Sequence, residues 1–223
     1  MSDATETLMP KVSQLVSSSV GKKIVMATSG ALLSVFLLIH LAGNSTMFLG
    51  SDTFNSYAEH LHSLGFLLYF FEAGLLGVFI LHISFGLLLY VENLRARPVR
   101  YAVTKSRGGR TPGSRTMPYT GLIVLVFLFV HINNFQTIDG TPPSGAVKTV
   151  LSQPGYAIFY WVAMLSLALH ISHGCWSMFQ SLGLNNTSYD RLLRKTALAF
   201  SIATGTIFIL IPTLALFFSG FLL

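Results

Sequence analysis

Five stretches of roughly 20 or more residues run almost without charge through this chain, and each is long enough to cross the ~30 Å hydrocarbon layer of a bilayer as an α-helix. They lie at about 24–48, 64–91, 118–136, 156–181 and 197–222. Polar or helix-breaking runs separate them: Gly50 to Asn55, Arg95 to Pro118 with Gly108-Gly109 and Pro112-Gly113, Asp139 to Pro154, and Gly183 to Asp190. Only 10% of residues are charged and 52% are hydrophobic, too little polar surface to clothe a soluble globule, where about 25% charge is usual. The expectation is an all-α integral membrane bundle of five helices forming a single domain over 1–223. No tandem repeat or extramembrane domain is evident. Residues 1–21 are polar, and the apolar run after Lys22-Lys23 exceeds a signal-peptide core, so the first span is expected to be uncleaved.

Positive charge orients the bundle. Of the 14 lysines and arginines, all but Lys148 fall before the first span (Lys11, Lys22, Lys23), in the second loop (Arg95, Arg97, Arg100, Lys105, Arg107, Arg110, Arg115) or in the fourth (Arg191, Arg194, Lys195). By the positive-inside rule the N-terminus is cytoplasmic and the C-terminus external, in the cell's inner (cytoplasmic) membrane. The net charge of +6 follows from this topology and implies no nucleic acid; a basic inner face that docks a soluble partner is a further possibility. The single cysteine, Cys175, lies in an apolar segment and reads as packing.

Four histidines, His40, His82, His131 and His170, each sit deep inside a different span, where an imidazole is costly unless something binds it. Counted from the basic end of its own helix, His40 and His131 lie about 25 Å in, and His82 and His170 about 20 Å in. The expected pairs are His40 with His131, outer, and His82 with His170, inner. A neutral imidazole is a good iron ligand, and two on facing helices satisfy a six-coordinate haem. Gly43, Gly86 and Gly174 each follow a histidine by one turn, leaving a bare patch for a flat macrocycle or for helix packing. His173, three residues past His170, competes with it as ligand or hydrogen-bonds a propionate or water. Trp176 either stacks on the inner haem, donates to a propionate, or packs.

On these residues the chain resembles the cytochrome b membrane anchor of the succinate dehydrogenase and fumarate reductase family, the single-subunit, five-helix, two-haem type. The motifs are Ser19-Val20-Gly21-Lys22-Lys23, Ile39-His40-Leu41-Ala42-Gly43-Asn44, Phe54-Asn55-Ser56-Tyr57-Ala58 and the stretch from His170-Ile171-Ser172-His173-Gly174-Cys175-Trp176 to Gly183. The resemblance implies two haem b groups, held by His40 with His131 and by His82 with His170 rather than His173. It also implies electron transfer between a membrane quinone, menaquinone, and cytoplasmic flavoprotein and iron–sulfur subunits that interconvert succinate and fumarate, with possible dimerisation of the complex. The anchor itself performs no succinate chemistry. Some fumarate reductase members carry a glutamate two residues before the fourth ligand as part of a proton path; here Ala168 stands there.

A quinone exchanges protons with water, so its site needs hydrogen-bonding groups near an aqueous face. The outer end offers Asn44, Asn55, Tyr57, Glu59, His60 and His62, and Glu72 lies inside the second span. No phosphate-cradling loop, nucleophile motif or zinc spacing is present. The rival reading is a haem-free transporter or proton channel that uses the buried histidines as a relay. Cytoplasmic-only fluorescent reporters should light up when inserted at 100–108 and stay dark when fused after Leu223; the reverse pattern would invert the topology.

Overall fold

The structure, a computed structural model, describes residues 17–96, 111–135, 141–218, 220 and 221. The expectations resting on Lys11, Arg97, Arg100, Lys105, Arg107, Arg110 and Gly108-Gly109, and most of the N-terminal segment, lie outside the described residues.

Among the described residues the chain is helical and has no strand. Five helices are long and apolar enough to cross a membrane: α1 (Ser19–Ser45), α3 (Phe66–Arg95), α4 (Pro112–Phe135), α6 (Pro154–Ser181) and α7 (Asp190–Phe217). Two short ones, α2 (Ser51–His62) and α5 (Pro143–Leu151), lie between spans at the end away from the described lysines and arginines other than Lys148.

Several helix ends differ from expectation for local reasons. α1 begins at Ser19 because the Ser18 hydroxyl accepts the Gly21 N–H at 3.0 Å, capping the first turn. α4 begins at Pro112, well before Pro118. Proline suits a first helical position, where its missing N–H has no helical partner, and the Thr111 hydroxyl accepts the Ser114 N–H at 3.1 Å. α7 starts at Asp190, whose carboxylate complements the helix N-terminus and pairs with Arg194 one turn on. The residues expected as loops at Gly50 to Asn55 and Asp139 to Pro154 instead contain the starts of α2 and the whole of α5. Gly50 does break the chain, at φ 110°, and α2 follows at once.

α6 is the central helix, packed against α7, α4 and α1, whereas α3 leans on α1 and buries none of its residues. With lipid as apolar as leucine, helices in a membrane associate through close fit and polar links. Ala157 and Ala163 of α6 and Thr204 of α7 are fully buried, and a Cβ added at Gly205 would come within 2.9 Å of the Ala168 methyl. The Ser201 hydroxyl donates to the Ala168 carbonyl at 2.6 Å, and Trp161 Nε1 donates to the Thr213 hydroxyl at 3.0 Å. The Ala168 methyl sits in this seam, against Gly205. The 3-10 turn Thr46–Leu49, α2 and α5 cover this end, called outer below, adding Met47, Phe54, Val147, Val150 and Leu151 to a core formed with Tyr160, Met164, Phe208 and Ile211.

Although no tandem repeat is evident to inspection, the fold contains one. Met26, Ser29, Gly30, Phe36 and His40 of α1 recur, at one constant offset, as Met117, Thr120, Gly121, Phe127 and His131 of α4. Leu81-His82-Ile83-Ser84-Phe85-Gly86 of α3 recurs as Leu169-His170-Ile171-Ser172-His173-Gly174 of α6. The contacts repeat with the residues. The Met26 methyl covers Gly86 at 3.3 Å as the Met117 methyl covers Gly174 at 3.5 Å, both measured to the position of an added Cβ. Two divergent units, α1–α3 and α4–α6, run in the same direction, with α7 added to the second.

Gly113, expected as a breaker, is a close-approach residue: a Cβ there would lie 2.9 Å from the Leu169 carbonyl oxygen and 2.8 Å from Ser172 Oγ. Gly113→Ala should destabilise the bundle by about 1–3 kcal/mol through overpacking. Gly74→Ala, where space is open, should be neutral or slightly stabilising, by at most about 1 kcal/mol. Thermal unfolding in detergent would compare the two, and equal midpoints would contradict the packing.

Candidate functional site

Two pairs of imidazoles face one another across the interior of the bundle. His40 on α1 and His131 on α4 have ring centroids 5.9 Å apart and planes at 90°. Closer to the basic end, His82 on α3 and His170 on α6 have centroids 6.3 Å apart and planes at 70°. All four are half-buried.

Each ring of the pair nearer the basic end, called inner below, meets a hydroxyl of a neighbouring helix. His82 Nδ1 lies 3.2 Å from Ser29 Oγ. His170 Nδ1 lies 3.4 Å from Thr120 Oγ1. The two rings rest on glycines, His82 Cε1 at 3.3 Å from an added Cβ on Gly30 and His170 Cε1 at 3.3 Å from one on Gly121.

The outer pair is held mainly by aromatic faces. Phe36 stacks on His40 at 5.3 Å and Phe127 on His131 at 5.2 Å, each one turn earlier on the same helix. Tyr160 of α6 brings its hydroxyl to 3.5 Å from His131 Nδ1, while Asn134 Nδ2 donates to that hydroxyl at 3.2 Å.

A metal-bound imidazole nitrogen sits roughly 2 Å from its ion, and roughly 1 Å from its own ring centre, so two rings on opposite sides of one ion have centroids about 6 Å apart. Both pairs meet that spacing. Each pair offers two nitrogens, and among the described residues no three His, Cys, Asp or Glu side chains gather to hold a metal ion. Such pairs suit an ion whose other ligands come from a macrocycle.

The glycines expected to leave bare patches are filled. The Met26 and Met117 methyls cover Gly86 and Gly174, and the Tyr57 ring lies against Gly43, its Cζ 2.5 Å from an added Cβ. The glycines that face the rings, Gly30 and Gly121, lie on the neighbouring helices, and the signal that finds them is the repeated Met-x-x-Ser/Thr-Gly.

The remaining candidates divide. Trp176 Nε1 donates to Asp190 Oδ1 at 2.9 Å and Arg194 lies over its ring at 3.6 Å, so Trp176 ties α6 to α7. His173 Nδ1 is buried without a hydrogen-bond partner, and its ring is 5.7 Å from Trp176. At the outer end the Asn44 amide donates to the His40 carbonyl at 2.8 Å, one turn from Gly43 and the Tyr57 ring. The Asn55 side chain accepts the Ser144 N–H at 3.0 Å, joining α2 to α5. His60 and His62 bond back to their own helix, through Nδ1 to the carbonyls of Ser56 and Ala58. Glu59 and Glu72 are exposed.

The chain is 27% identical over 164 residues to the succinate dehydrogenase cytochrome b558 subunit of Bacillus subtilis (strain 168), covering 69% of this chain and 74% of that one. No protein-family model matches the chain, and no solved structure matches it.

Asn55→Ala removes the α2–α5 bond and leaves the Ser144 N–H without its partner, at a cost of about 1 kcal/mol. Hydrogen exchange should quicken in α5 and stay unchanged in α6. Equal exchange throughout would contradict a local joining role.

Proposed function

We propose that this chain is the membrane-anchor cytochrome b of a succinate:quinone oxidoreductase, carrying two b-type haems between a membrane quinone and cytoplasmic flavoprotein and iron–sulfur subunits. The observation that carries this reading is the presence of two imidazole pairs, at two levels of one bundle, each with the centroid spacing of an axial pair. The similarity to a succinate dehydrogenase cytochrome b558 subunit supports it.

A bound haem supplies a one-electron iron couple. The protein's part is to place and tune it. His82 and His170 would hold the inner group and His40 and His131 the outer. The internal repeat favours His170 over His173 as ligand, because His170 has His82 as its counterpart whereas His173 has Phe85. The apolar helices around both levels keep water away, so the potentials answer to nearby hydrogen bonds.

At the outer end, Asn44 and Tyr57 lie beside the His40 level and supply hydrogen-bonding groups to the oxygens of a quinone, menaquinone in this reading. Asn55 is engaged with Ser144, and Glu59 and Glu72 remain exposed proton carriers. The described lysines and arginines other than Lys148 flank the opposite end, which in this reading is the cytoplasmic face that receives the iron–sulfur subunit. In this reading the succinate chemistry belongs to the soluble subunits and the chain serves as the conducting anchor.

Reduced-minus-oxidised absorption spectra of the complex in its membrane should show two b-type centres. His82→Ala and His170→Ala should each remove the same centre, and His40→Ala and His131→Ala the other, leaving roughly half the haem. His173→Ala should retain both. A colourless complex, or one that loses a centre with His173→Ala and keeps it with His170→Ala, would overturn this assignment.

A further inference from the structure

Hydrogen bonds within α1 and α4 bear on which ring nitrogen of the inner histidines is protonated. A serine or threonine hydroxyl has one proton to donate. The Ser29 hydroxyl gives it to its own helix, to the Val25 carbonyl at 2.8 Å and the Met26 carbonyl at 3.1 Å. The Thr120 hydroxyl does the same, to Thr116 at 3.0 Å and Met117 at 3.2 Å. With that proton given to the helix, each oxygen approaches the imidazole Nδ1 with its lone pairs, at 3.2 Å for Ser29 and 3.4 Å for Thr120. This arrangement suits Nδ1–H as the donor in both rings, which leaves Nε2 with the free lone pair.

We propose that Ser29 and Thr120 are positioning residues that fix the inner histidines, His82 and His170, as Nδ1–H donors with Nε2 free for iron, and that they set the redox potential of the inner centre separately from the outer. The proposal rests on the haem assignment above. Its physical basis is that an axial imidazole donating Nδ1–H becomes a stronger electron donor, which favours ferric over ferrous iron and lowers the potential. Both rings of the inner pair have such an anchor, and the two anchors are the same residue pattern in the two units of the repeat. The outer pair has Phe36 and Phe127 in place of hydroxyls, together with one longer approach from Tyr160.

Roles other than positioning fit these hydroxyls less well. Ser29 is 4% exposed and Thr120 is also 4%, so neither is placed to meet a quinone or water directly. Simple helix packing would account for a small residue at each position but not for the alignment of both hydroxyls on Nδ1.

The test uses the whole complex in its membrane, with the variants Ser29→Ala and Thr120→Val and the conservative exchanges Ser29→Thr and Thr120→Ser. A redox titration followed in the haem absorption bands, with low-temperature spin resonance of the ferric centres, reads both centres in each variant. Ser29→Ala and Thr120→Val should raise the potential of the same single centre or weaken its haem retention by about 10-fold or more. The conservative exchanges should restore it, and the other centre should stay put. The proposal fails if both potentials are unchanged, if both centres move together, or if Ser29→Thr is as impaired as Ser29→Ala. A wild-type complex without haem absorption would instead defeat the functional reading itself.

Discussion

An imidazole placed in hydrocarbon must hand its N–H to another group, because no water is present to take it and an unmet donor there costs several kcal/mol. In this bundle the inner histidines bring Nδ1 to the Ser29 and Thr120 hydroxyls of the neighbouring helices. That requirement ties α3 to α1 and α6 to α4, sets the depth at which the helices meet, and selects glycine at 30 and 121 so that the rings can lie close to the partner backbone. Once Nδ1 is committed, the opposite nitrogen is free for a ligand. One hydrogen bond thus serves both the packing of the helices and the chemistry of the site.

The repeat makes the arrangement intelligible. Two units of the same pattern, running in the same direction, bring like residues together: His40 meets its counterpart His131, and His82 meets His170. A ligand that takes one nitrogen from each side is matched by such a symmetric pair. The units have diverged where they do different work. The second acquires α7, which buries the outer face of α6 through Thr204, Gly205 and Phe208. The first leaves α3 packed on α1, with its other faces open to lipid or to a neighbour. Tyr160 and Glu72, at matching positions of α6 and α3, end up buried and exposed respectively.

The number of spans was legible because hydrocarbon thickness demands about 20 apolar residues per helix, and nothing in this chain imitates that signal. The two outer helices were not, since α2 and α5 are short and carry only a one-sided apolar face, which reads as loop until it has something to cover. Pro118 and Gly113 have the composition of breakers. Within α4, Thr111 and Pro112 start the helix ahead of them, and Gly113 is there to let α6 approach. Asn55 and Trp176 looked like candidates for ligand contact because polar groups near a membrane interface are suspect. Their partners, Ser144 and Asp190, lie far enough along the chain that only folding reveals the engagement.

The amino-acid sequence by itself determined five spans and one histidine well inside each of four of them, because period, length and position along a helix are local quantities. The tertiary structure alone decided which atoms meet: that Ser29 and Thr120 accept from the inner rings, that methionines rather than empty space cover Gly86 and Gly174, and that Asn55 joins two outer helices. Such contacts depend on the rotation of each helix about its axis and on its neighbour's identity. Lipid exerts no pull that would fix either, so both emerge only when the helices pack against one another.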